Sequence, residues 1–247
     1  MGAKTDGGMV RAISSADGLR IMSPDDFVAR HRDWRTDGTP RPRCPVCDAE
    51  VTPHGVNTFN VRPSFHHPNG SRCPKSGKPD PRFAHLDPSE FDVGQEKRLL
   101  FELREQAAAE RLYRLCNTIA GHVTGGDFEA MCRAAHNLHI WRYKGMTLDL
   151  AGFLLPTLID MKRPRKDGSE YEFRIVVKRQ RGGGFFTAPE DCELEKVFAD
   201  TGRPLRAADA RVKVLDPAII SKAEATWDGM SEGLKRVIRR AVWATGR

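Results

Sequence analysis

The sequence predicts an α+β protein in which a small ribbon-like module is joined to a mainly helical domain carrying a short β-hairpin. Three observations point there. Cys44-Pro45-Val46-Cys47 opens a short polar segment that ends in a second Cys/His group. Apolar residues then recur at helical spacing from Gly94 onward, and between Tyr171 and Lys178 the period changes to that of a strand. With 247 residues and an apolar share of 39%, the chain is long enough for a small module attached to a larger core.

Residues 1–43 read as an N-terminal segment with one short helix. The first 22 are rich in Gly, Ser and Ala and contain no apolar run of the secretory type, so a cytoplasmic location is expected. Ser23-Pro24-Asp25-Asp26 reads as an N-cap followed by proline at the first helical position. The helix carries Phe27, Val28 and His31 and ends near Trp34, and a polar connector runs from Thr36 to Arg43.

Residues 44–74 form the module. Two thiolates two residues apart can reach one ion at about 2.3 Å each, and Pro45 stiffens the turn between them. Val51, Val56, Phe59 and Val61 suit the arms of a hairpin with His54-Gly55 near its turn. That hairpin returns the chain to His66-His67 and, after Pro68-Asn69-Gly70, to Cys73. So short and polar a segment cannot bury a core of its own. The spacing therefore predicts a zinc ribbon with one structural Zn2+ held by Cys44, Cys47, His67 and Cys73, with His66 the alternative to His67. Six cysteines in a reducing compartment do not read as a disulfide framework.

Cys-Pro-x-Cys, a short hairpin, Phe65-His66-His67 and then Cys73 resemble the amino-terminal zinc ribbon of competence protein CoiA-like proteins. The likeness covers residues 44–74; Ser64 stands where that family's first histidine would be, and His67 matches the second. The resemblance implies a following nuclease domain of the PD-(D/E)xK type, with Asp160, Glu170, Glu172 and Lys178 the nearest acidic and lysine groups. No Asp/Glu-x-Lys stands on the 171–178 strand, and Glu172 and Lys178 would lie about 20 Å apart along it.

Residues 75–93 are a proline-rich linker, and 94–247 the mainly helical domain. Gly94 to Val123 reads as one long helix, broken by Gly125-Gly126, with Asp127 capping a second through Leu138. On that helix Cys132, His136 and His139 fall on one face, near Cys116 and His122 of the preceding one. Thr147 to Met161 reads as helical and interrupted at Pro156; its Asp149 and Asp160 exclude a membrane span. The strand from Tyr171 to Lys178 is expected to turn at Gly182-Gly183-Gly184 and return through Phe185-Phe186-Thr187. An acidic short helix over 189–200 containing Cys192, a strand at Val212 to Leu215, and a single closing helix from Pro217 to Trp243 complete the reading.

Lys and Arg exceed Asp and Glu by 40 to 33, a net charge of +7. The basic clusters are Lys162, Arg163, Arg165 and Lys166; Lys178, Arg179 and Arg181 beside the triple glycine; and Arg236, Arg239 and Arg240 on the final helix. Flexible backbone amides beside guanidinium groups suit phosphate contacts. No phosphate-binding glycine loop, nucleophile elbow or HExxH motif occurs. These features predict a non-catalytic, nucleic-acid-binding subunit of a larger bacterial-type assembly with protein partners and no membrane. The alternatives are a CoiA-like metal-dependent nuclease and a protein–protein adaptor.

Overall fold

In the computed structural model, Ser23 caps helix α1 (Pro24–Arg30): its side chain accepts from the Asp26 amide, and Pro24 takes the first turn, where no amide donor is needed. The structure describes residues 9–18, 20–45, 47–69, 71, 73, 76, 85–86, 92–165, 167–179, 185–186, 188–205, 210–225 and 230–243, with backbone only at Val93, Arg179, Ala225 and Trp243. The chain divides into two compact units, Met1–Phe91 and Asp92–Arg247. The class is α+β.

The first unit is built from two short antiparallel hairpins around α1. Strand β1 (Ala12–Ser14) pairs with β2 (Arg20–Met22), and β3 (Thr52–His54) with β4 (Ser64–His66). Isolated bridges join Met9 to Phe65, Ile13 to Arg43 and Arg43 to Glu50, so the N-terminal segment and the cysteine-bearing module share one fold. Their common core is Ile13, Phe27, Trp34, Val51 and Phe65, all buried. Phe27 sits edge-on to Trp34 and Phe65 at ring separations of 6.1 and 6.4 Å. Of the residues expected on the hairpin arms, Val51 is buried, but Val56, Phe59 and Val61 lie in the loop between β3 and β4, where left-handed Gly55, Asn57 and Asn60 end the pairing. Most of the proline-rich linker lies outside the described residues.

Asp17 ties the β1–β2 hairpin to α1. It is hydrogen-bonded to His31 Nε2 at 2.8 Å, accepts from Ser14 Oγ at 2.5 Å and accepts from Arg30 at 3.0 Å. These contacts, His31 first, hold its carboxyl well below the usual carboxylate range. A depressed folded-state pKa stabilises the fold above the unfolded-state value of about 4, and that contribution is lost as the pH falls below it. We expect Asp17→Asn to flatten this acid dependence. Amide exchange over residues 9–34 from pH 6 to pH 3 checks it; an unchanged pH profile in the variant would contradict the assignment.

The second unit packs helices against a four-stranded antiparallel sheet. The helices are α2 (Val93–Glu102), α3 (Gln106–Ala120), α4 (Gly125–Asn137), α5 (Leu148–Leu154), α6 (Pro217–Ala225) and α7 (Glu232–Trp243). The sheet runs β5 (Asp160–Pro164), β6 (Glu170–Arg179), β7 (Cys192–Phe198), β8 (Arg211–Lys213), in that order. Phe173 and Ile175 of β6 stand opposite Phe198 and Lys196 of β7; Phe173, Ile175 and Lys196 are buried and Phe198 is half-buried.

Several expectations are corrected. The long helix from Gly94 is two, because Glu105 adopts an extended conformation that restarts the chain as α3. Gly121, at φ 83°, ends α3 in the left-handed cap that glycine adopts without strain. Gly125 and Gly126 do not break a helix but open α4, since Thr124 and Asp127 form a reciprocal capping box around them. The Thr147–Met161 segment stops being helical after Thr157, and Asp160 begins β5. The strand of the short hairpin is an inner strand of a sheet. Phe185 and Phe186 form a turn, with the Phe186 ring 4.9 Å from Tyr143, while Gly182, Gly183, Gly184 and Thr187 lie outside the described residues. Residues 192–198 are a strand where the sequence pattern predicts an acidic helix. The charges that suggest helix are matched across strands: Lys178 lies opposite Glu193, and Glu195 meets Arg211 at 2.7 Å and Lys178 at 3.6 Å. The closing helix is likewise two helices, and Trp227 lies outside the described residues. Among the described residues no helix is long and apolar enough to cross a membrane.

Candidate metal centre

The first two cysteines sit in a tight knuckle fixed by its own backbone. The Asp48 amide donates to the Cys44 carbonyl at 2.9 Å, and the Cys44 amide donates to Ala49, also at 2.9 Å. Asp48 takes the left-handed conformation that closes this turn, at φ 57°. Arg43 Nε brackets the knuckle from outside, donating to the Asp48 carbonyl and to its carboxylate at 2.8 Å each. Sequence reasoning missed this pair. The signal was present, since Asp is among the few residues that tolerate left-handed backbone.

The hairpin supplies the second half. On β4 the side chains alternate, with Phe65 directed into the core and His66 outward. His66 stacks on His54 across the strands, with centroids 4.4 Å apart and planes 20° from parallel. His67, the next residue, returns toward the cysteines, with Nε2 3.5 Å from Cys47 Sγ. Cys73 completes the group, its Sγ 3.7 Å from that of Cys44. Its carbonyl accepts from the Ser76 amide and hydroxyl at 2.9 and 2.7 Å, which fixes the second turn.

One donor atom from each of Cys44, Cys47, His67 and Cys73 lies within 4.8 Å of the others. A tetrahedral zinc ion with ordinary bond lengths requires about 3.8 Å between two sulfurs and about 3.6 Å between sulfur and nitrogen. The separations of 3.7 and 3.5 Å match those edges. Among the described residues the buried His67 Nδ1 has no hydrogen-bond partner. A metal ion fits this donor set.

The protonation pattern suits an ion as well. Three sulfurs this close cannot all carry charge unaided. A hydrogen bond with Cys47, then one with Cys73, then burial push the Cys44 thiol far up, while the same contact with Cys44 pulls Cys47 down. Burial depresses His67, but its hydrogen bonds to Cys47 and Cys73 outweigh that and push it up to about 9. A divalent cation would displace the protons on Cys44 and His67 and leave a compensated site.

The remaining cysteines belong to the second unit. Cys116 and Cys132 are fully buried on α3 and α4, with burial pushing Cys116 well up and Cys132 to about 12. The helical face expected to unite Cys132, His136 and His139 does not form. Helix α4 ends at Asn137 and His139 turns left-handed at φ 51°. Cys192 is buried on β7.

The basic residues divide by role. Lys162 and Arg165 are exposed on and just beyond β5. Arg163 on the same strand donates to the Ala120 carbonyl and lies 5.0 Å over the Phe173 ring, so it serves the fold. Lys178 is exposed and 3.6 Å from Glu195. Arg236, Arg239 and Arg240 are exposed on α7. Lys166, Arg181 and the side chain of Arg179 lie outside the described residues.

The strand register places Glu170 and Glu172 opposite Pro164 and Lys162, and Arg174 opposite Asp160. Asp160, Lys162, Glu170 and Glu172 line an open cavity of about 440 Å³ together with His122, Thr124 and Asp127. Arg174 lies 3.3 Å from Asp160, and among the described residues the carboxylates here do not converge as the cysteine group does. Comparison of the chain with protein-family models, curated proteins and solved structures finds no match.

Proposed function

We propose that this protein is a nucleic-acid-binding, non-catalytic subunit of a larger assembly, its N-terminal unit clasped by one structural zinc ion. The observation that carries the metal half is the convergence of Cys44, Cys47, His67 and Cys73 at tetrahedral spacing. Four protein donors leave no position for a reacting water, so the ion serves the fold and not a reaction. The resemblance of the Cys-Pro-x-Cys, His67 and Cys73 motif to CoiA-like zinc ribbons supports this reading.

The nucleic-acid half is supported by the net charge of +7 and by the exposed guanidinium row of Arg236, Arg239 and Arg240 on α7. Two of them, Arg236 and Arg240, stand four residues apart and share a face with one another. Arginines in such a row neutralise phosphates and release counterions, which makes affinity fall with salt. We expect binding to weaken steeply between roughly 50 and 200 mM salt, with log affinity falling by about one unit per log unit of salt for each phosphate neutralised. Replacing the three arginines with alanine should reduce that slope by about one for each phosphate they neutralise. Binding that is absent or independent of salt would remove this half of the reading.

The carboxylates of the sheet cavity support a second reading, a magnesium-dependent nuclease using Asp160 and Glu172. Its expected result is magnesium-dependent cleavage by the wild type that Glu172→Ala abolishes.

A further inference from the structure

We propose that the β3–β4 hairpin is a stacking platform for the unpaired bases of a single-stranded nucleic acid, with Phe59 and the His54–His66 pair as its rings. This rests on the reading of the protein as a nucleic-acid-binding subunit and specifies which form of nucleic acid the first unit takes. Phe59 is 91% exposed, which leaves its ring accessible to a stacking partner. The loop holds it there by construction. The Thr58 amide donates to Gly55 at 3.2 Å and the Val61 amide donates to Thr58 at 3.3 Å, while Gly55, Asn57 and Asn60 are all left-handed. At Gly55 an added Cβ would stand 2.6 Å from Val61 Cγ1, so the loop is folded tightly on itself.

The frame around Phe59 is polar. Asn57, Thr58 and Asn60 are exposed beside it, and Val56 and Val61 are half-buried. A protein helix docking here would need a contiguous apolar patch, which this lone ring does not offer. A nucleobase presents a π-face ringed by hydrogen-bonding edges, and amide and hydroxyl side chains around one aromatic ring complement it. On the strands of the same hairpin His54 and His66 are exposed and already stacked at 4.4 Å. Imidazole rings are among the side chains on which unpaired bases stack.

Charge points the same way. From Val51 to Pro79 the sequence contains no Asp or Glu, yet it carries Arg62, Arg72, Lys75 and Lys78 besides its histidines. Such a segment attracts a polyanion along its length. The bases of a duplex are stacked on each other, so only a single strand offers faces to these rings.

The test measures fluorescence anisotropy of the zinc-loaded full chain with three probes of equal length: oligothymidylate, an abasic oligomer with the same phosphates, and a duplex. Oligothymidylate is expected to bind most tightly. Phe59→Ala should weaken it about tenfold, the worth of one stacked base, while leaving the abasic oligomer and the zinc content unchanged. Phe59→Tyr should retain the wild-type affinity. If Phe59→Ala binds oligothymidylate as wild type does, or loses affinity equally for the abasic oligomer, the platform is overturned. If wild type binds all three probes alike, the platform is overturned and the phosphate reading stands. If it binds none, both readings fall.

Discussion

Cys44→Ser is expected to remove the metal and unfold the region around residues 44–73 while leaving the second unit folded. Cys44 is completely buried, and its sulfur and its backbone both hold the knuckle. The β3–β4 strands are three residues each, too short to persist without what they are tied to. A structural zinc ion contributes apparent binding energies of about 10–16 kcal/mol to small domains at neutral pH. Losing one ligand of four therefore exceeds what Ile13, Phe27 and Phe65 can supply from so small a core. Elemental analysis should find one equivalent of zinc in the wild type and essentially none in the variant. Amide protection should vanish over residues 44–67 and persist on α3 and α4. Cys116→Ser, in the other unit, should keep its zinc. A Cys44→Ser protein that retains a full equivalent would sink the proposed ligand set.

Gly152→Val is expected to destabilise the second unit by about 3 kcal/mol, a fall in Tm on the order of 10 °C. On α5 this glycine faces α3 so closely that an added Cβ would stand 2.7 Å from Leu115 Cγ and 3.0 Å from its Cβ. Rotating the leucine does not relieve a clash with its own Cβ, so a helix must move. The helices meet there in other ways too, since Cys116 Sγ donates to the Gly152 carbonyl at 3.6 Å. Gly126→Ala makes the contrasting case. It sits in the first turn of α4, where among the described residues an added Cβ would meet only Thr124 Oγ1, at 3.8 Å, and should be neutral or mildly stabilising. Thermal unfolding of both variants, of Leu115→Ala alone and of Gly152→Val combined with Leu115→Ala checks the origin of the effect. If the double variant loses the full sum of what Gly152→Val and Leu115→Ala each lose, contact with the leucine side chain is not the cause.

The metal centre is legible in the sequence because its chemistry is local. A Cys-Pro-x-Cys pair can close only a knuckle, and a short polar segment has little else to hold it. Motif likeness favours His67 over His66, and the geometry reaches the same residue for a different reason: Phe65 must face the core, which turns His66 outward and leaves His67 to the sulfurs. What the spacing does not disclose is that Met9 and Ile13 bridge onto this module and share its core.

The sequence alone determined the helix cap at Ser23, the α+β class and the three cysteines that, with one of His66 and His67, can hold one ion, since each depends on neighbours a few positions away or on side-chain chemistry itself. Only the tertiary structure decided the four-stranded sheet. Whether Cys192 to Phe198 is helix or strand depends on Lys178 and Arg211 standing opposite its glutamates. It also decided which basic residues remain exposed, Arg163 being drawn to Ala120 and Phe173 while Arg236 and Arg240 stay in solvent. The physical reason is range. Caps and ligand turns are settled by bonds within a few residues, whereas strand pairing and burial depend on partners that the chain brings together only when it folds.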